Sequence, residues 1–131
     1  MNVLTEYAAE ALLLIFLIIT FLQSGLDKIL DWKGNLTWLI GHFSQTPFKN
    51  FVPALLFILT VTELAVAILC GIGLVQLLMG NGNNMAFSGA VVSCLALLML
   101  LIGQRIAKDY DGARTIVVYF IPAIFLVFLL Q

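Results

Sequence analysis

Glu63 is the residue in this chain with the most chemistry to explain. It stands between Thr62 and Leu64 inside a long apolar run. An ionisable group at the centre of a membrane span costs roughly 2.5–3.5 kcal/mol on insertion scales. Such a carboxyl must turn inward, find a partner or hold its proton. At helical spacing its own face carries Thr60, Ala67, Cys70 and Gly71, small or polar side chains suited to helix contact. The opposite face, with Leu59, Val61, Ile68 and Leu69, suits lipid. Two chemistries fit an inward carboxylate: proton or ligand handling, and a polar clasp that fixes helix register.

Depth nominates its partners. Counted from Gly82, Arg105 lies about four residues, roughly 6 Å, beyond the level of Glu63, within reach of a long side chain. Gln104 is one step closer. Thr20, Gln23, Ser24 and Asp27 form a polar stripe approaching the same side. The expectation is a buried polar cluster of Glu63, Arg105, Gln104, Gln23, Asp27 and Lys28, with no catalytic role assigned to any member. A second set, Lys108, Asp109, Tyr110 and Arg114, mixes charges with an aromatic and suits a lipid head group or a partner protein; a solvated turn is the alternative.

Other residues offer less. Cys70 and Cys94 fall at similar depth, where a redox pair competes with the plainer reading of two small side chains filling helix contacts. There is no C-x-x-C, and no metal site is expected. His42, the one histidine, reads as an ordinary interfacial residue. No P-loop, dinucleotide fingerprint, nucleophile elbow or H-E-x-x-H occurs.

The elements that must hold these groups follow from composition. Of 131 residues, 63% are apolar and 10% charged, against about 45–50% and about 25% in soluble domains. Mean hydropathy is +1.13. A soluble fold of this size could not hide so much apolar surface, and a net charge of −1 argues against nucleic acid. The fold class expected is all-α: an integral membrane four-helix bundle in a single domain, residues 1–131, with spans near 7–26, 53–79, 85–103 and 113–130. The first run lacks a positive start and an A-x-A-like site, so it reads as a retained span rather than a cleaved signal.

Gly80 to Asn84 reads as a tight hairpin, with Gly80 closing one helix and Asn84 capping the next. Leu36, Leu39, Ile40 and Phe43, with Trp32 and Trp38 nearby, predict a short interfacial helix between the first two spans. Pro122 predicts a kink in the last. All six Lys and Arg residues fall in the first and third connections. The positive-inside rule then puts 27–50 and 104–114 in the cytoplasm and both termini outside.

Three segments together resemble the DoxX-like family of small bacterial membrane proteins. Gln23-Ser24-Gly25-Leu26-Asp27-Lys28-Ile29-Leu30 is similar to that family's ending of the first helix. Glu63, with Gly71 and Gly73 downstream, resembles its E-x-x-x-G-x-x-L-x-x-G region, though Ala67 replaces the first small residue. Gly103-Gln104-Arg105-Ile106-Ala107-Lys108-Asp109-Tyr110-Asp111-Gly112-Ala113 looks like the segment before the fourth helix. Many members carry an Arg within helix one where this chain has Thr20 and Phe21, so an Arg–Glu pair from that position does not carry over and Arg105 becomes the favoured partner. The resemblance implies a subunit of the bacterial cytoplasmic membrane linked to quinone- or thiosulfate-type redox metabolism. Quinone is then the cofactor in view, although no motif encodes one. Lipid and other membrane subunits, or further copies of the chain, are the partners implied. A structural or assembly subunit without chemistry and an oligomeric proton-coupled transporter are the competing expectations.

Overall fold

Apolar runs with no alternation leave helices as the structure that satisfies every backbone group in lipid. The computed structural model describes residues 3–131. Its elements are α1 (Val3–Glu6), α2 (Ala8–Leu30), α3 (Trp32–His42), α4 (Val52–Leu78), α5 (Asn84–Ile106) and α6 (Tyr110–Leu130), with no strand among the described residues. α2, α4, α5 and α6 are each long and apolar enough to cross a membrane. The chain is a multi-pass membrane protein built as a four-helix bundle.

α2 packs on α4, α4 on α5 and α5 on α6, while α6 returns to α2 along a sparser seam. Leu14, Leu17 and Phe21 of α2 meet Val66, Cys70 and Leu77 of α4, Ala90 and Leu97 of α5, and Ala123 and Leu126 of α6 in one buried core. Small residues let α4 and α5 approach most closely. A Cβ on Gly89 would stand 2.7 Å from Cys70 Sγ, and one on Gly73 would collide with the Ala86 backbone. The outer faces are apolar as well: Leu12, Phe57, Ile68, Val118 and Phe128 are all exposed. In water this surface would be an aggregation hazard; against acyl chains it has no cost.

The connections follow helix-end chemistry. α4 closes in a Schellman motif: Asn81 N–H donates to Gln76 O at 3.0 Å and Gly80 N–H to Leu77 O at 3.2 Å, with Gly80 at φ 73°. Gly80 therefore closes α4 as its position implies. The expectation for Asn84 is corrected. It is already helical, Asn83 flanks α5, and the orphan N–H of Met85 is taken by Gln76 Oε1 at 3.1 Å from the preceding helix. Asn83 instead donates its amide to Leu130 O at 3.0 Å, tying the hairpin to the end of α6.

The spans run longer than the apolar pattern alone suggests. α2 continues to Leu30 and α5 to Ile106, so Lys28, Gln104 and Arg105 lie on helices rather than in loops. Asp31 separates α2 from α3 and caps the latter, its Oδ1 accepting from Gly34 N–H at 3.2 Å. α3 stands where the spacing of Leu36, Leu39 and Ile40 places a helix. α6 is helical through Pro122.

Candidate functional site

One turn of α2 and one residue of α4 make the site. Ser24 and Lys28 are four residues apart and therefore share a helix face. Gly25, beside Ser24, lets that face close on α4: a Cβ there would stand 2.7 Å from Leu64 Cδ2. Glu63 meets them with its side chain 2% exposed. Lys28 Nζ lies 2.8 Å from Glu63 Oε1 and donates to Ser24 Oγ at 2.7 Å and to Ser24 O at 3.3 Å. Ser24 Oγ in turn donates to Glu63 Oε2 at 2.5 Å. That distance belongs to a charge-assisted O–H···O⁻ bond. The contact with Oε1 is close but poorly aimed, so this oxygen has a charge beside it and no directed donor.

The arrangement has a chemical direction. Ammonium, hydroxyl and carboxylate form a continuous relay from Lys28 through Ser24 to Glu63. Its Ser24 and Glu63 members, though not Lys28, line a cleft of about 320 Å³ whose other polar walls are Thr20, Gln23, Asp27 and Tyr119. Leu97 and Leu100 of α5 and Ile116 of α6 contribute apolar walls. Such a cleft can hold a small polar group against the Ser24 and Glu63 end of the relay.

The expected cluster is only partly assembled. Gln23 and Asp27 line the cleft but are themselves exposed, and neither is recorded in a side-chain bond to Glu63. Lys28 is the ion-pair partner. Gln104 and Arg105 are elsewhere. Gln104 Oε1 accepts from His42 Nε2 at 2.9 Å, and the Arg105 guanidinium lies 5.0 Å from the centre of the Tyr110 ring. The α2 extension explains the correction: it brings a cation to Glu63 from the adjacent helix, leaving Arg105 free to stack at the surface. Of the second set, Asp109 caps α6 by accepting from Gly112 N–H at 2.9 Å. Arg114 pairs with Asp111, and Lys108 and Tyr110 are exposed. Cys70 and Cys94 are free and buried, and no metal-ligating group of His, Cys, Asp or Glu occurs among the described residues.

Two functional positions escape the sequence reading. Ser24 belongs to the polar stripe, yet only its spacing from Lys28 marks it as the bridge. His42 joins Gln104 across 62 positions, a contact for which no local pattern exists.

Compared with known families, curated proteins and solved structures, the chain matches none.

Proposed function

We propose that this chain is a DoxX-like, partner-dependent subunit of a bacterial cytoplasmic membrane, and that the Ser24–Glu63 cleft is its contribution to a quinone-linked redox complex. The observation that carries the reading is a paired carboxylate, 2.8 Å from Lys28 and 2% exposed, that together with Ser24 forms part of the wall of a cleft. A purely structural clasp gains nothing from an adjoining cavity. A site that exchanges protons with a bound group needs both. The sequence holds no flavin, haem or iron–sulfur motif, so electrons come from a partner and the cleft supplies protons. Reduction of a quinone consumes two electrons and two protons, and the relay through Ser24 provides a path for the latter. The Lys- and Arg-bearing end, which includes α3 and the α5–α6 turn, faces the cytoplasm in this reading, with both termini outside.

Gentle solubilisation of native membranes, pull-down and identification of the associated chains test it. A redox subunit is the expected companion. Recovery of a small free species with no companion overturns the subunit reading. Glu63→Gln in the same background separates the two parts: full turnover of the intact complex rejects the proton role, while lost turnover with unchanged assembly supports it.

A further inference from the structure

A second cavity lies between α3, α4 and α5, with a volume of about 260 Å³. It shares only Leu100 with the Ser24–Glu63 cleft. Its walls are apolar: Leu39, Phe43, Phe48, Leu55, Leu59 and Met99 contribute no strong hydrogen-bonding group. Three side chains bring polar atoms, Trp38, His42 and Gln104. The volume is near the lower end of ligand pockets, which run about 300–1,000 Å³, so it suits one ring with a short tail.

The polar end is asymmetric. His42 Nε2 faces two acceptors, Gln104 Oε1 at 2.9 Å and Asp109 Oδ2 at 3.7 Å. A nitrogen so placed carries the hydrogen, and in the neutral imidazole the other nitrogen then presents a lone pair. No protein donor to Nδ1 is recorded among the described residues. Gln104 is half committed: its oxygen accepts the His42 N–H, while its amide nitrogen has no acceptor among the described residues. Trp38 stacks on the imidazole with centroids 4.5 Å apart and planes 16° from parallel, and Phe43 meets it edge-on at 5.1 Å. Both hold the ring in place. The polar end thus offers an acceptor at Nδ1 beside donors on Gln104 and Trp38, a set that a hydroxyl, able to donate and accept, meets in both senses.

We infer that this cavity binds a lipid-soluble alcohol or phenol, its hydroxyl donating to His42 Nδ1 and its apolar body lying among the α4 and α5 side chains. A ketone, ester or ether of the same shape offers no donor and leaves the imidazole lone pair unmet. A primary ammonium would bring an uncompensated charge against apolar walls. The site is independent of the proton-exchange reading of Glu63.

Because His42 is the sole histidine, imidazole ¹⁵N labelling of the full-length protein in lipid nanodiscs reports on it without mutation. The probes are para-pentylphenol and its O-methyl ether, added in mildly alkaline buffer. The phenol should shift the Nδ1 resonance while the ether leaves it in place. In a Trp32→Phe background, Trp38 fluorescence should change saturably with the phenol, at an affinity about tenfold tighter than for the ether, the ratio of one good hydrogen bond. His42→Phe, checked for retained helicity by circular dichroism, should bind both probes alike. Equal affinities in the wild-type protein, a linear non-saturating response that signals acyl-like partitioning, or an unmoved Nδ1 resonance would each overturn the assignment, the last without any variant needing to fold.

Discussion

Two polar ties join distant parts of this molecule, and they are built to opposite standards. Lys28, Ser24 and Glu63 clasp α2 to α4 with formal charges and a carboxylate almost wholly removed from solvent. His42, Gln104 and Asp109 latch α3 to the far end of α5 with one side-chain hydrogen bond and a longer contact, their side chains partly exposed. The difference teaches where polarity is obligatory. A charge at span depth has no water to fall back on, so its partners must come from neighbouring helices. A group at the rim loses little when its partner goes, and its contacts are free to serve a ligand instead.

The comparison can be broken from the clasp side first. Lys28→Met strands a buried carboxylate and should lower stability by about 3–5 kcal/mol, read as an earlier midpoint in detergent-induced unfolding. Pairing it with Glu63→Leu removes the orphan and should recover most of that loss. Failure to recover would mean that the pair itself, rather than the avoidance of a lone charge, holds α2 to α4. Ser24→Ala deletes two hydrogen bonds to charged groups, the one donated to Glu63 and the one accepted from Lys28, but leaves the ion pair in place, so a loss of about 1.5–3 kcal/mol is expected by the same assay. On the latch side, Gln104→Leu should cost only about 0.5–1.5 kcal/mol. It should raise hydrogen exchange in α3 far more than in α4, because α3 touches the bundle sparsely. The smallest effect concerns Lys108, which sits at φ 60° where a side chain is strained. Lys108→Gly should raise the thermal midpoint by the equivalent of about 0.5–1 kcal/mol. A drop would show that its ammonium contributes more than its backbone costs.

The same contrast governs what the sequence made legible. Four spans, the surface helix and the inward carboxyl at Glu63 all follow from patterns local to one segment, apolar length and helical spacing above all. The partner of that carboxyl follows only in part: Lys28 belongs to the expected cluster, but Arg105 is the partner the sequence favours. Depth counted from Gly82 favours Arg105, whereas α2 runs four residues past the expected end of the first span near residue 26 and carries Lys28 onto the face that meets Glu63. Basic residues at the end of a span are equally at home in a loop, so nothing in the run Asp27-Lys28-Ile29 distinguishes the two. Asn84 misled for a related reason. Four adjacent polar or glycine residues precede α5, any of which could cap it, and the N–H is in fact met by Gln76 on the other helix. Contacts made by side chains from separate elements, His42 with Gln104 among them, depend on how helices are rotated. Composition does not specify rotation.

Asp109 serves three elements at once. Its backbone N–H donates to Gln104 O at 2.9 Å and finishes α5. Its Oδ1 receives Gly112 N–H and starts α6. Its Oδ2 stands 3.7 Å from the His42 ring of α3. The turn thus has no slack: one added residue would uncouple the end of one span from the beginning of the next and withdraw the carboxylate from the surface helix. Length, more than residue identity, is what this junction conserves mechanically, and any displacement of α3 is transmitted to the root of α6 through a single side chain.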